Sequence, residues 1–274
     1  MTDQNSGDVE TASAPPRLTV TDLSKTFTLH AIDGRRIPSL ESVSLTVRAG
    51  EHVALAGASG AGKSSLLRCV YRTYLPDSGR VVLHRGAADA PDDIELTTLS
   101  DRLMARIRGL DIGYVSQFLQ APPRTGPRSI VTKSAIRRGL PYDAAHDAAA
   151  DALQKLGIDE ALWEVDCSVL SGGERQRINL AAGTVRPPRL LLLDEPVSAL
   201  DPANREKALQ HVEDLRRGDV SILAVYHDMD VIRRLSDRVV VLAGGRAVAD
   251  GAPEEVLAEG HPALREELVE EVPA

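Results

Sequence analysis

Apolar residues along the chain fall into short runs of two kinds, and their order predicts a sheet of mainly parallel strands covered by helices. Strand-type runs come first: LTVTDLSKTF, the alternating SVSLTVRAG, and HVALAGASG, which runs into glycines. Helix-type spacing follows from Lys63 to Thr73, where Leu66, Leu67 and Val70 share a face, and the turn YLPDSG leads to the strand RVVLH. Ser100 is an expected N-cap for the helix DRLMARIR, with Gly109 and the strand IGYVSQ behind it. Residues 118–169, after the loop FLQAPPRTGP that opens them, read as a helical insertion. It includes SIVTKSAIRRG and an Ala-rich stretch that Asp143 would cap and Gly157 would end.

From Gly172 the alternation resumes: helix ERQRINLAAGTV, strand RLLLLDE, helix ANREKALQHVEDLRR, strand VSILAVYH, helix DMDVIRRLS and strand RVVVLAG. The leucine run is apolar on both faces, as a strand inside a parallel sheet must be. No segment recurs at fixed spacing, which excludes a solenoid.

Composition narrows the reading. Residues 1–16 carry almost no large apolar group and are expected to form a disordered tail, while 261–274 read as a helical extension. The remaining chain, of 274 residues in all with 43% apolar, suffices for a substantial core. Thirty-two basic residues against forty acidic ones give a net charge of -8, so no overall positive field exists to hold a nucleic-acid backbone. No run approaches the roughly 18 to 20 apolar residues of a membrane span, and the start lacks a signal-peptide pattern, so a cytoplasmic protein is expected. Cys69 and Cys167 stand alone and read as packing residues.

The chemistry begins at Gly57-Ala58-Ser59-Gly60-Ala61-Gly62-Lys63-Ser64, a GxxxxGK[ST] pattern that follows an apolar strand and opens a helix. Its glycines let backbone N–H groups face a phosphate, Lys63 reaches the terminal phosphates, and Ser64 with its neighbour Ser65 completes the loop, Ser64 as a magnesium ligand. At the end of the leucine strand, Asp194 is placed to hold the magnesium shell and Glu195 to orient the attacking water of nucleotide hydrolysis. Leu170-Ser171-Gly172-Gly173-Glu174 precedes another helix and reads as a second anion-binding helix start. One nucleotide has no evident use for both. The guanine-reading N/T-K-x-D element is missing, which disfavours a GTPase.

Together these motifs resemble the ATP-binding cassette (ABC) ATPases over about residues 17–260, with LSGGE as the signature motif. The resemblance implies a P-loop NTPase (RecA-like) α/β core, an antiparallel β subdomain, and a helical signature subdomain at about 118–185. It implies ATP and Mg2+ as ligands, hydrolysis of ATP, and a second cassette packed head to tail so that Ser171 and Gly173 of one chain close over the nucleotide of the other. Residue by residue, Gln117 matches the Q-loop residue that senses magnesium and the γ-phosphate. Asp201 in Ser198-Ala199-Leu200-Asp201 matches the D-loop at the dimer seam, and His227 matches the switch histidine. Phe27 is the candidate for an aromatic that stacks on adenine, with a packing role as the alternative.

Several further stretches, SKTFTLH, LRCVYRTYLPDSG, IGYVSQFLQAPPR and SGGERQRINLA, resemble the PhnL-type ATP-binding proteins of the phosphonate carbon–phosphorus lyase system. That resemblance implies soluble partners that break down organophosphonates. The alternative is a subunit that drives a separate membrane permease, which would place the chain at the membrane's edge without a span of its own. A non-enzymatic assembly clamp that dimerises on ATP is a third reading.

Overall fold

The computed structural model describes residues 14–29, 34–86 and 93–258; positions 1–13 of the expected tail and the expected extension at 261–274 lie outside them. Regular structure starts earlier than the tail reading allows. Pro16 opens the first strand, and the Ala49 N–H donates to the Pro15 carbonyl at 2.8 Å.

The elements run β1 (Pro16–Leu29), β2 (Arg35–Arg48), β3 (His52–Ala56), α1 (Lys63–Val70), β4 (Ser78–Leu83) and β5 (Ile94–Glu95). Next come α2 (Asp101–Leu110), β6 (Ile112–Val115), α3 (Pro127–Arg137), α4 (Tyr142–Lys155), α5 (Gly172–Thr184) and β7 (Leu190–Asp194). The chain continues as α6 (Pro202–Arg217), β8 (Ser221–Val225), α7 (Met229–Leu235), β9 (Arg238–Ala243), β10 (Arg246–Gly251) and α8 (Pro253–Ala258). A four-stranded antiparallel sheet has the order β2-β1-β4-β5, and a six-stranded sheet the order β10-β9-β3-β8-β7-β6. In the larger sheet every pairing is parallel except that of β9 with β10.

The sheet divides the core into two apolar layers. Successive residues of each interior strand alternate between them, because a strand points its side chains to opposite faces. Leu191 and Leu193 of β7, with Ile222 and Ala224 of β8, join the layer under α5, α6 and α7. Leu190, Leu192, Leu223 and Val225 join the layer that packs α1 and the antiparallel sheet. Burial on both faces leaves no polar position in β7 until Asp194, its last residue.

Two helix ends show how local chemistry sets the boundaries. Asp143, the expected cap of the Ala-rich helix, lies inside the first turn of α4, and Pro141 is the N-cap. Proline's fixed φ suits the extended cap conformation, and an acid in the first turn meets the helix dipole favourably. At the other end Gly157 takes a left-handed φ of 67°, its N–H reaching the Gln154 carbonyl at 2.9 Å while the Ile158 N–H reaches Leu153 at 3.0 Å. This is the paired-bond helix stop that favours glycine, and a Cβ there would lie 3.0 Å from the Lys207 ammonium. Helix α5 is unusual in having a run of buried residues from Gln176 to Thr184 and hence no solvent face over that length. Its polar side chains therefore need partners inside the protein.

Candidate functional site

Four neighbouring parallel strands, β3, β8, β7 and β6, end side by side, and each delivers a polar group one or two residues beyond its last ladder position. They are the loop opened by Gly57 after β3, His227 after β8, Glu195 after β7 and Gln117 after β6. The carboxyl edge of a parallel sheet is where backbone leaves the ladder and helix starts converge, so residues up to 170 positions apart in sequence meet there.

Gly57 and Gly62 make the phosphate loop possible. Gly57 has φ 133° with β9 directly behind it, so a Cβ would stand 2.0 Å from the Leu242 carbonyl oxygen. Gly62 has φ 104°, and a Cβ there would stand 2.4 Å from the Ser39 carbonyl oxygen and 2.9 Å from the Leu40 side chain. Lys63 opens α1 and its ammonium folds back on the loop, donating to the carbonyls of Gly57 and, at 3.0 Å, Ala58. The N-cap of α1 is Gly62, with no side-chain cap bond and no acid in the first turn. No side-chain cap and no first-turn acid of the helix itself competes with an anion there. Ser65 accepts from the Ser39 hydroxyl at 2.8 Å, which fixes the first turn to β2.

Beside the loop, the Ser64 hydroxyl donates to Asp194 Oδ1 at 2.8 Å. A hydroxyl and a carboxylate held together are hard oxygen donors of the kind magnesium prefers, with phosphate and water completing its shell, so the residues fit that ion. Asp194 is almost wholly buried, and its second oxygen accepts from the Tyr114 hydroxyl at 2.9 Å. The Arg68 guanidinium stands 3.9 Å away and donates to the Tyr74 hydroxyl at 3.0 Å. Burial and the Asp194 charge push the Tyr114 phenol far upward, so it stays a donor at any working pH.

Glu195 is gripped from both sides: His227 Nε2 lies 2.7 Å from Oε1, and Gln117 Nε2 donates to Oε2 at 3.1 Å. The His227 contact, against the opposing effect of burial, holds this carboxyl below the usual carboxylate range. A carboxylate kept ionised is a weak proton acceptor but a fixed hydrogen-bond acceptor, which suits it to orienting a water. Its backbone takes φ 54°, a left-handed value rare outside glycine.

The other expected residues lie elsewhere. Ser171 caps α5 in a reciprocal arrangement: its Oγ accepts from the Glu174 N–H at 3.2 Å, and Glu174 Oε2 accepts from the Ser171 N–H at 2.8 Å and hydroxyl at 2.7 Å. These bonds lower the Glu174 pKa. Ser171 and Gly172 are exposed, and Gly173 packs against the Ala199 carbonyl. Asp201 caps α6, accepting from the Asn204 N–H at 3.1 Å and amide at 2.6 Å. Phe27 lies in the antiparallel sheet, half-buried, edge-on to Tyr74 at 5.1 Å with the Lys25 ammonium 5.5 Å from its ring. Cys69 and Cys167 are buried and free, and burial raises both thiols. Sequence reasoning missed Tyr114, Arg68, Gln176 and Asn179, of which Asn179 donates to the Ser116 carbonyl at 2.6 Å beside Gln117. Nothing in the local pattern sets them apart from their neighbours: Arg68 and Gln176 stand on helices that carry other polar residues.

A phosphate loop, an oxygen-rich metal position and a water-orienting carboxylate at one sheet edge define a P-loop nucleotide triphosphatase. The family profile described as ABC transporter matches residues 40–198. The chain is 35% identical over 247 residues to the methionine import ATP-binding protein MetN of Caulobacter vibrioides, covering 90% of this chain and 69% of that protein. It is 30% identical over 246 residues to the phosphonates import ATP-binding protein PhnC of Treponema denticola, covering 86% of this chain and 90% of that one. The ATP-binding cassette MJ0796, solved as a dimer in a post-hydrolysis state with ADP and Pi, superposes with TM-score 0.77 at 25% identity, over 86% of this chain and 98% of that one. The chain belongs to the ABC transporter family and is its ATP-binding, magnesium-dependent ATPase component.

Proposed function

We propose that the protein hydrolyses ATP as one half of a head-to-tail cassette pair and drives a separate membrane permease. The observation that carries the permease reading is the likeness, over most of the chain, to ATP-binding proteins named for import. Among the described residues no helix is long and apolar enough to cross a membrane. A groove of about 800 Å³ between α2, α3 and α5 fits this role, lined by Arg106, Arg108, Lys133 and Arg137 in a protein of net charge -8. Ser116 and Leu119, which flank Gln117, also line it, so an acidic segment seated there would touch the loop that holds Glu195. The carbon–phosphorus lyase reading draws on sequence stretches alone, and these import relatives give it no specific support.

In the hydrolytic step the loop N–H groups and Lys63 hold the phosphates, and Glu195, steadied by Gln117 and His227, orients the water in line with the γ-phosphorus. Magnesium, when bound at Ser64 and Asp194, neutralises charge on the transferred group. Ser171 and Gly173 are proposed to reach the nucleotide of the partner chain, since Ser171 and Gly172 at their helix start are exposed and its capping bonds run between Ser171 and Glu174. Asp201 is proposed to lie at the seam, and Phe27 to stack on the adenine.

The test is capture of tagged Glu195→Gln protein from its own cells with ATP and magnesium, followed by mass spectrometry. A multi-span permease is the expected companion. Soluble phosphonate-degrading subunits instead would overturn the transport reading and restore the lyase one.

A further inference from the structure

Gln176 is 3% exposed, in the second turn of α5, and both ends of its amide are used. Nε2 donates to the Glu195 backbone carbonyl at 2.5 Å, and Oε1 accepts from the Ala199 N–H at 2.9 Å. Reversing the amide would set oxygen against oxygen and N–H against N–H, so the two partners dictate its orientation. These partners belong to the turn that carries the hydrolytic carboxylate and to the Ser198–Asp201 segment.

Glu195 needs such a hold. A left-handed backbone is strained for a side-chain-bearing residue, and persists only where the surroundings over-determine it. The Glu195 N–H reaches the Val225 carbonyl at 3.2 Å, and the Ser198 hydroxyl reaches the Glu195 carbonyl at 3.3 Å, both long bonds. The Gln176 contact is the short one. If the Glu195 peptide relaxes toward an ordinary φ, the carboxylate swings away from Gln117 and His227.

We propose that Gln176 is a positioning residue for hydrolysis: it locks the left-handed turn at Glu195 and ties it, with Ala199, to the helix that starts at the signature motif. The water-orienting carboxylate is then correctly placed only when α5 is seated against the Ser198–Asp201 segment. Gly173, whose Cβ position lies 3.3 Å from the Ala199 carbonyl, makes the same junction one turn earlier. The inference rests on the reading of Glu195 as the group that orients the water.

The test compares full-length Gln176→Met, which keeps volume and loses both bonds, with Gln176→Glu, which keeps an acceptor for the Ala199 N–H and sets oxygen against the Glu195 carbonyl. Both are expected to lower kcat about tenfold or more, with KM for ATP and nucleotide affinity within about twofold of the unaltered protein. Unaltered kcat in both variants overturns the proposal. Loss of nucleotide binding in parallel with turnover, in whichever variant folds, also overturns it, because that pattern marks a general structural role. Glu195→Gln run alongside separates the two ideas: if that variant still turns over at the normal rate, the reading of Glu195 has failed, whereas an inactive Glu195→Gln beside fully active Gln176 variants fails Gln176 alone.

Discussion

Two helices in this chain begin at glycine-rich motifs, and they treat their N-termini in opposite ways. Helix α1 starts behind Gly62 with no side-chain cap and no acid in its first turn, so no carboxylate or cap of its own competes with an anion for the dipole's positive end. Helix α5 starts with Ser171 and Glu174 capping each other, so the same kind of groups are already bonded and a carboxylate sits among them. The first is a site in its own right. The second already holds a carboxylate at its start, so an incoming phosphate there would compete with Glu174.

This contrast orders the expected effects of substitution. Lys63→Ala removes the cation at the open helix start and should weaken ATP binding on the order of a hundredfold, measured by nucleotide titration, while thermal stability changes little. Ser171→Ala opens the closed start; it should cost about 1 kcal/mol of stability in denaturant unfolding and leave ATP binding to the isolated chain intact. Glu174→Gln removes the competing carboxylate, so ATP-driven association of two chains should strengthen by roughly threefold in sedimentation titrations. Weaker association in that variant would mean that the carboxylate, not its removal, serves the assembled site. Smallest is Tyr114→Phe, which deletes one hydroxyl on Asp194. It should weaken the magnesium dependence of ATP binding about threefold, with metal-free ATP binding unchanged.

How much was legible follows the same division between local and distant. The phosphate loop could be read because its spacing, preceding strand and following helix are all contiguous in sequence. Asp194 and Glu195 can be picked out because they close a recognisable strand, and Gln117 and His227 through the family resemblance, but what brings the four together is the strand order β3-β8-β7-β6, which no local pattern encodes. Tyr114 reaches Asp194 across 80 positions and shows nothing along the chain beyond a tyrosine in a strand. Gln176 was hidden because α5 has no polar face for a helical period to reveal. Asp143 was misplaced by two positions because an acid suits both the cap and the first turn, and Pro141 settles the choice. Ile94–Glu95 is too short a strand to show any alternation. At Ser171 the residues predict an anion-binding helix start that includes the glycine N–H groups, and the structure adds a capping box between Ser171 and Glu174 that the motif's spelling also allows.

The central claim is that Glu195 drives hydrolysis at a site that a second chain completes. Its most direct test is the molecular mass of Glu195→Gln protein with ATP and magnesium, measured in solution together with phosphate release. The account predicts a mass that doubles on adding ATP and stays doubled, with phosphate release reduced about a hundredfold or more. A variant that stays at the mass of one chain and releases phosphate at the unaltered protein's rate would contradict it.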